Sequence, residues 1–94
     1  MKYVYPCKLE YAEGYGYSVI FPDIKGAVTQ GETLFDALEM AEDALAGTLM
    51  TMEDNNKIIP ESTPIQVANG EIVTLIKADT EKYREGLKNA RREA

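Results

Sequence analysis

The feature that most constrains the fold is one long amphipathic helix pattern in the middle of the chain. Apolar residues recur there at three- and four-residue spacing: Leu34, Ala37, Leu38, Ala41, Leu45, Leu49 and Met52. On a helix, this spacing places the side chains in a single stripe that needs a second layer to cover it. Thr33 is a natural N-cap, and Asp36 can complete a capping box with it. We therefore predict a helix from Leu34 to about Glu53.

Three strand-like runs precede this helix and a fourth follows it. The predicted strands are residues 2–11, 17–21, 27–30 and 71–78. Glycine-containing turns separate the first three, so the first two are expected to form a hairpin. Pro6 indicates an edge position or a bulge, and Asp79 or Thr80 caps a last helix. The element order is then β-β-β-α-β-α, an α+β fold with an antiparallel-led sheet.

Charge and composition restrict the kind of partner. The chain has 94 residues, enough for one domain, with 16 acidic and 10 basic side chains and a net charge of −6. An acidic surface repels phosphate backbones, which makes nucleic acid a poor partner. A basic protein is a better candidate, and solubility alone is the simpler explanation. Residues 1–78 hold 12 acidic and 5 basic groups, a charge of −7, whereas residues 79–94 hold 4 and 5, a charge of +1.

Several residue types are missing or rare, and each absence removes a class of chemistry. The chain contains no histidine, which excludes Ser-His and Cys-His nucleophiles and histidine-ligated zinc. A lone cysteine, Cys7, can form neither an internal disulfide nor a four-thiolate metal site, and we expect it to be a packed thiol. No signal peptide or membrane-spanning run is evident. We expect a cytoplasmic protein without metal, cofactor or membrane contact.

The carboxylates raise the question of catalysis. Asp23 lies at a predicted strand end, and the helix carries Asp36, Glu39, Glu42 and Asp43. A metal-dependent nuclease needs roughly three or four carboxylates converging on one or two Mg²⁺ ions. No core-facing strand position is acidic, so the pattern does not bring these groups to a common point. We expect no enzyme, with a carboxylate-dependent ribonuclease-H-like nuclease as the alternative.

The helix face opposite the apolar stripe carries unusual residues. At about 100° per residue, Asp36, Met40, Asp43, Gly47 and Met50 lie on this face. An interior glycine costs about 1 kcal/mol relative to alanine, so its presence here needs a reason. The face is either an ordinary surface with incidental apolar residues or a docking surface for a basic partner or a second copy. The candidate partner-binding residues are Asp23, Asp36, Glu39, Met40, Asp43 and Met50.

The stretch "YPCKLEYAEGYGYSVIFPDIKGAVTQGETLFDALEMAEDAL" closely resembles the HicB-type antitoxin family. The family pattern is a strand, a Gly-Tyr hairpin, Phe-Pro-Asp-x-x-Gly, Thr-Gln-Gly, and a capped helix rich in Glu and Ala. The matching residues are Phe21, Pro22, Asp23, Gly26, Thr29, Gln30, Gly31, Thr33, Leu34, Ala37 and Leu38. The resemblance continues through "IPESTP" and "LIKADTEKYR". Phe35 stands where the family usually has a charged residue.

This resemblance implies a partial ribonuclease-H-like sheet with one long helix packed on it, a scaffold that neutralises a toxin. The implied partner is a small, basic, HicA-type ribonuclease that cleaves mRNA. Residues 1–78 would be the toxin-neutralising domain, and residues 79–94 a C-terminal helix leading to a DNA-binding module. Family members commonly continue into such a module, and none follows Ala94, so we expect neither DNA binding nor operon autoregulation from this form. Exposed strand edges commonly pair with another copy, so we expect at least a dimer.

Overall fold

A computed structural model describes residues 1–65, 67 and 71–93, with the side chains of all of these except 91–93. The elements are β1 (Lys2–Ala12), β2 (Gly16–Ile20), β3 (Val28–Gly31), α1 (Leu34–Asp54), β4 (Ile72–Asp79) and α2 (Thr80–Glu93). The predicted order is confirmed, and the strand and α1 boundaries differ from the predicted ones by one residue at most. Within the described residues, no helix is both long enough and apolar enough to cross a membrane.

The four strands form one antiparallel sheet in the order β3-β2-β1-β4. The register of β1 against β2 runs from Lys8↔Ile20 to Ala12↔Gly16. On its other side, β1 pairs with the whole of β4, starting at Lys2↔Asp79. The strands β3 and β4 are therefore the two edges, and the predicted hairpin of β1 and β2 is confirmed at the centre.

Pro6 predicted that β1 lies at the edge of the sheet. This is wrong for the strand as a whole, because β1 lies between β2 and β4. At Pro6 itself the strand does have one unpaired side. Pairing with β2 begins only at Lys8, so Pro6 pairs with β4 alone, opposite Leu75. A proline is accepted there because one side of the strand has no partner that needs its missing N–H.

The core lies between α1 and one face of the sheet. The buried residues of α1 are Ala37, Ala41, Leu45, Ala46 and Leu49, and they pack on Tyr5, Cys7, Leu9, Val19, Phe21, Ile76 and Ala78 of the strands and the β2–β3 turn. This confirms the predicted apolar stripe except at its first member, because Leu34 is 45% exposed. The packed-thiol interpretation of Cys7 is also confirmed, and burial raises the pKa of its thiol.

Both helices begin at side-chain caps. The Oγ1 atom of Thr33 accepts a hydrogen bond from the Asp36 N–H at 3.1 Å, which is the first half of the predicted capping box. At the start of α2, Asp79 Oδ1 accepts from the N–H groups of Glu81 and Lys82 at 3.1 and 3.3 Å. Asp79 is therefore the cap of α2, and the side chain of Thr80 is available for other contacts.

The junction between β3 and α1 has room only for backbone. A β-carbon added at Gly31 would lie 2.6 Å from the Cα atom of Ala37, in the first turn of α1. Gly16 precedes Tyr17, the Cα partner of Gly31. It has φ +85°, and its added β-carbon would lie 2.9 Å from the Cα of Glu32. The end of β3 therefore contacts both the hairpin and the helix directly, which explains the glycine of the Thr-Gln-Gly motif and sets the direction in which α1 leaves the sheet.

We expect Gly31→Ala to lower the free energy of unfolding by about 3 kcal/mol or more, because its methyl group would overlap backbone that cannot move aside. Gly86→Ala in α2 is the matched control, since its added β-carbon meets no atom within 4 Å. The control should be neutral or stabilising by up to about 1 kcal/mol. Urea unfolding followed by circular dichroism measures both. Equal stability of the two variants would contradict this account of the junction.

Candidate functional site

The outward side of α1 is the candidate site, and the structure brings four of the six predicted residues together on it. Asp36, Glu39, Met40 and Asp43 occupy the first half of the helix and are exposed, Met40 by 44%. We call these four residues the acidic α1 face. Met50 is half-buried and lies ten residues beyond Met40, or roughly 15 Å along the helix. Asp23 lies in the turn between β2 and β3. Phe35, beside the acidic α1 face, is 70% exposed.

The helix α2 packs on the second half of the same side of α1. A β-carbon added at Gly47 would lie 3.1 Å from the hydroxyl oxygen of Tyr83, so the interior glycine makes room for this tyrosine. Burial raises the pKa of Tyr83, and the Asp43 carboxylate, which accepts its hydrogen bond, raises it further. Arg84 donates to the backbone carbonyl of Met50 at 3.3 Å. The glycine that suggested an external partner thus serves a contact within the chain.

An open groove of about 1080 Å³ lies between α1, α2 and the adjoining ends of β1 and β4. Its α1 rim carries Glu39, Glu42 and Asp43, and the opposite rim carries Lys2, Lys77 and Lys82. Met40, Val4 and Leu87 also line the groove. The groove is therefore divided by charge, with its acidic wall continuous with the acidic α1 face. Throughout residues 1–65, 67 and 71–93, no three His, Cys, Asp or Glu side chains are grouped so that they could hold a metal ion.

The carboxylate of Asp23 is hydrogen-bonded to another segment of the same chain. Its Oδ2 atom accepts a hydrogen bond from the Thr63 N–H at 3.0 Å, and its Oδ1 accepts from the Thr63 hydroxyl. Nearby, the Tyr5 hydroxyl donates to the carbonyl of Pro60. These contacts hold the connection after α1 against the β2–β3 turn. The structure thus gives Asp23 a role in anchoring this loop, and its role in partner binding stays a prediction.

Sequence reasoning missed Glu53, a carboxylate with three hydrogen-bond donors around it. Its Oε2 atom accepts hydrogen bonds from the hydroxyls of Tyr3 at 2.7 Å and Thr80 at 3.0 Å. Its Oε1 accepts from the Arg84 guanidinium at 3.1 Å. The one signal in the sequence is position, because Glu53 lies four residues after Leu49 and so on the buried stripe of the helix. A carboxylate on a core-facing stripe requires partners, but nothing local identifies them.

The first residue of the chain joins the same network. The Met1 ammonium donates to Thr80 Oγ1 at 2.9 Å, and the Thr80 N–H donates to the Met1 carbonyl at 3.0 Å. Thr80 is fully buried. Arg84 also pairs with Asp54 at 2.8 Å. We call Glu53, Thr80, Arg84, Tyr3 and Met1 the Glu53 network, and it holds the start of α2 to the sheet and to the end of α1.

The network changes the ionisation of its members. Burial by itself would raise the pKa of Glu53, but the hydrogen bonds from Tyr3, Arg84 and Thr80 outweigh burial and lower it. Burial together with the hydrogen bond to Glu53 raises the pKa of Tyr3 to about 12. The fold therefore favours an ionised Glu53 beside a neutral Tyr3.

A lowered pKa in the folded state means that Glu53 stabilises the protein above its ordinary pKa of about 4.3, and that this stabilisation is lost as the pH falls through the folded value. We expect Glu53→Gln to lower the free energy of unfolding by about 1–3 kcal/mol at pH 7. The difference from the parent should shrink as the pH is lowered from about 5 to about 3. Glu42→Gln, an exposed position of α1, is the matched control and should keep the stability of the parent at pH 7. Urea unfolding across this range measures the effect, and a difference independent of pH would contradict it.

The chain is similar to known proteins in both sequence and structure. Residues 5–90 match the sequence profile of a family described as the HicB-like antitoxin of bacterial toxin–antitoxin systems. Antitoxin HicB 1 of Photorhabdus laumondii is 48% identical over 61 residues, which is 65% of this chain and 39% of that protein. The chain spans less than half of the length of the curated relatives that it matches.

Solved structures share the fold. A toxin–antitoxin complex from Streptococcus pneumoniae matches 88% of this chain and 73% of its own with a TM-score of 0.77, at 21% identity. The N-terminal domain of the Burkholderia pseudomallei antitoxin HicB matches 82% of this chain and 99% of its own, with a TM-score of 0.64 and 25% identity. The predicted α+β class, one sheet covered by one long helix, is confirmed by these structures.

Proposed function

This chain belongs to the HicB-like antitoxin family of bacterial toxin–antitoxin systems, and we propose that it binds and neutralises a small, basic toxin ribonuclease of the HicA type. Antitoxin membership suggests a non-enzymatic role. The Streptococcus pneumoniae structure with this fold is a toxin–antitoxin complex, and this supports the same kind of partner here. The proposal covers residues 1–94, since the curated relatives are more than twice as long as the matched segment.

The acidic α1 face is the observation that carries the proposal. Asp36, Glu39 and Asp43 present three carboxylates on one exposed side of a helix, with Glu42 beside them. The chain as a whole has a charge of −6. Such a surface attracts a basic protein and raises its association rate, and carboxylates in the interface pair directly with Lys or Arg. Met40, exposed among them, is suited to filling a shallow apolar pocket.

Rigidity of α1 supports the same function. The buried side of the helix is packed along its length, from Ala37 to Leu49, and the Glu53 network holds its far end. A face presented by a fixed helix loses little conformational freedom on binding. We propose that the toxin uses its basic, RNA-contacting surface to bind this face, so that bound antitoxin excludes RNA from it.

The two segments of the chain have different proposed roles. We assign residues 1–78 to toxin neutralisation, supported by the match to nearly the whole N-terminal domain of the Burkholderia pseudomallei antitoxin. Residues 79–94, with a charge of only +1, are proposed to lead to a DNA-binding module. Operator binding requires neutralisation of several phosphates, so we assign any autoregulation to that module. The edge strands β3 and β4 support the further proposal that the chain forms at least a dimer.

Charge reversal of the acidic α1 face tests the proposed toxin surface. We expect Asp36→Lys with Asp43→Lys to weaken binding of the small basic protein encoded by the neighbouring gene by roughly tenfold or more. The fold should remain intact, because neither residue is in the core. Isothermal titration calorimetry with a catalytically inactive toxin gives the dissociation constant, and circular dichroism checks the fold.

Two controls separate charge at this site from other effects. Glu10→Lys with Glu13→Lys makes the same change in net charge at exposed positions of β1 and the β1–β2 turn and should retain most of the affinity. Tyr83→Phe removes the hydrogen bond to Asp43 without changing charge, and it reports any effect that passes through α2. Unchanged toxin affinity in the Asp36→Lys, Asp43→Lys variant would show that this face is not the inhibitory surface. A neighbouring gene without a small basic product would contradict the proposed function itself.

A further inference from the structure

The helix α2 runs back along α1, and a groove opens between the two helices. Thr80, at the start of α2, is hydrogen-bonded to Glu53 near the end of α1. One turn later, Tyr83 lies against Gly47. Gly86, the next turn of α2, lines the groove of about 1080 Å³. A β-carbon added at Gly86 would meet no atom within 4 Å, so open space begins one turn after the contact at Gly47.

The lining of the groove includes apolar side chains from both helices. Ala46 and Ala78 line it and also belong to the core. Met40 and Leu87 line it from α1 and α2 and are 44% and 39% exposed. The volume is at the upper end of the range for pockets that enclose a small ligand. The groove therefore has room for several side chains of a partner, and apolar ones would be buried against this lining.

Charges of opposite sign border the groove without pairing across it. Three carboxylates stand on the α1 side and three lysines on the other: Glu39, Glu42 and Asp43 against Lys2, Lys77 and Lys82. All six side chains are exposed. Among the residues that the structure describes, no ion pair crosses the groove or includes any of the six. Both rows of charge are therefore available to a partner.

This division of charge selects the kind of segment that fits. A uniformly basic segment would be attracted to α1 and repelled by the lysines. A nucleic acid would meet the reverse problem, because the carboxylates repel its phosphates. A protein segment with basic side chains along one edge and an acidic side chain along the other complements both sides. Its apolar residues would lie between the two edges, against the lining of the groove.

We propose that the groove binds such an amphipathic segment of the toxin, with its basic edge against α1 and an acidic side chain against Lys82. This inference rests on the proposed function and extends it, because it makes α2 part of the toxin site. It also requires a carboxylate at one place on a toxin whose overall charge is basic. The α1 carboxylates attract any basic protein, whereas Lys82 favours one that carries an acidic group in the matching position. The lysine side thus supplies specificity.

Charge reversal on α2 separates this proposal from general attraction between an acidic and a basic protein. Lys82→Glu makes the chain more acidic, so general attraction alone would keep or raise its affinity for a basic toxin. If an acidic group of the toxin faces Lys82, the same change brings like charges together. We then expect the affinity to fall about fivefold or more. Isothermal titration calorimetry with the catalytically inactive basic protein from the neighbouring gene measures the dissociation constant.

Lys88→Glu is the matched control. Lys88 is exposed on the same helix and is not among the residues that line the groove. The substitution makes the same change in net charge as Lys82→Glu. The Lys88→Glu variant should bind the toxin as tightly as the parent or more tightly.

Gly86→Phe tests the groove without a change of charge. The ring would extend into the space that Gly86 lines and take the place of the partner's side chains. We expect toxin affinity to fall about tenfold or more. Gly86→Ala adds only a methyl group and should bind like the parent. Both variants should keep the circular dichroism spectrum of the parent, because position 86 is an exposed position of α2.

Three results would overturn the proposal and leave the proposed function standing, because the parent would still bind the toxin. The first is a Lys82→Glu variant that binds the toxin at least as tightly as the parent. The second is a folded Gly86→Phe variant with unchanged toxin affinity. The third is a single-stranded RNA oligonucleotide that binds the parent and not the Lys82→Glu variant, which would make the lysine side a nucleic-acid surface. A parent that binds no toxin would contradict the proposed function, and this inference with it.

Discussion

The packing of α1 against one face of the sheet is the constraint on which the rest of the structure depends. Ala37 and Ala41 are fully buried, and Gly31 has no space for a side chain beside the first turn. The helix therefore lies close to the sheet at its start, in one direction and one rotation about its axis. That rotation turns Asp36, Met40 and Asp43 outward. The polar surface of the helix is thus a consequence of how its other side is buried.

The Glu53 network provides a second fixed point at the opposite end of α1. It joins the helix to the first strand and to the start of α2 through hydrogen bonds to one largely buried carboxylate, and Thr80 in turn binds Met1. A charge in this position is stabilising only while all its partners are present. With both ends held, α1 presents a preformed surface, and Tyr83 of α2 lies against Gly47. This is a suitable arrangement for a protein that acts by binding.

Much of the fold was predictable because it depends on local periodicity. The α1 stripe, the strand alternation and the two caps each come from a few neighbouring residues, and the structure confirms them. What failed depends on contacts between distant segments. Pro6 indicates an edge or a bulge when one strand is considered alone, because its pairing partners are not visible there. Gly47 suggested an external partner, although Tyr83, thirty-six residues later, fills the space beside it. Glu53 was missed for the same reason. The exposed half of the candidate site was predictable, and the internal engagement of Asp23 and Asp43 was not.

The most direct test of the central claim is a measurement of methyl chemical shifts. These shifts are recorded for the complex with the basic protein encoded by the neighbouring gene. That claim is that the toxin binds the acidic α1 face and leaves free the face of the sheet that is turned away from α1. Methyl labelling of Met, Ile, Leu and Val places probes on both faces, at Met40 on one and at Ile20 and Leu75 on the other. On titration with the toxin, the Met40 methyl should shift while those of Ile20 and Leu75 stay unchanged. Shifts at Ile20 and Leu75 with an unchanged Met40 would contradict the account.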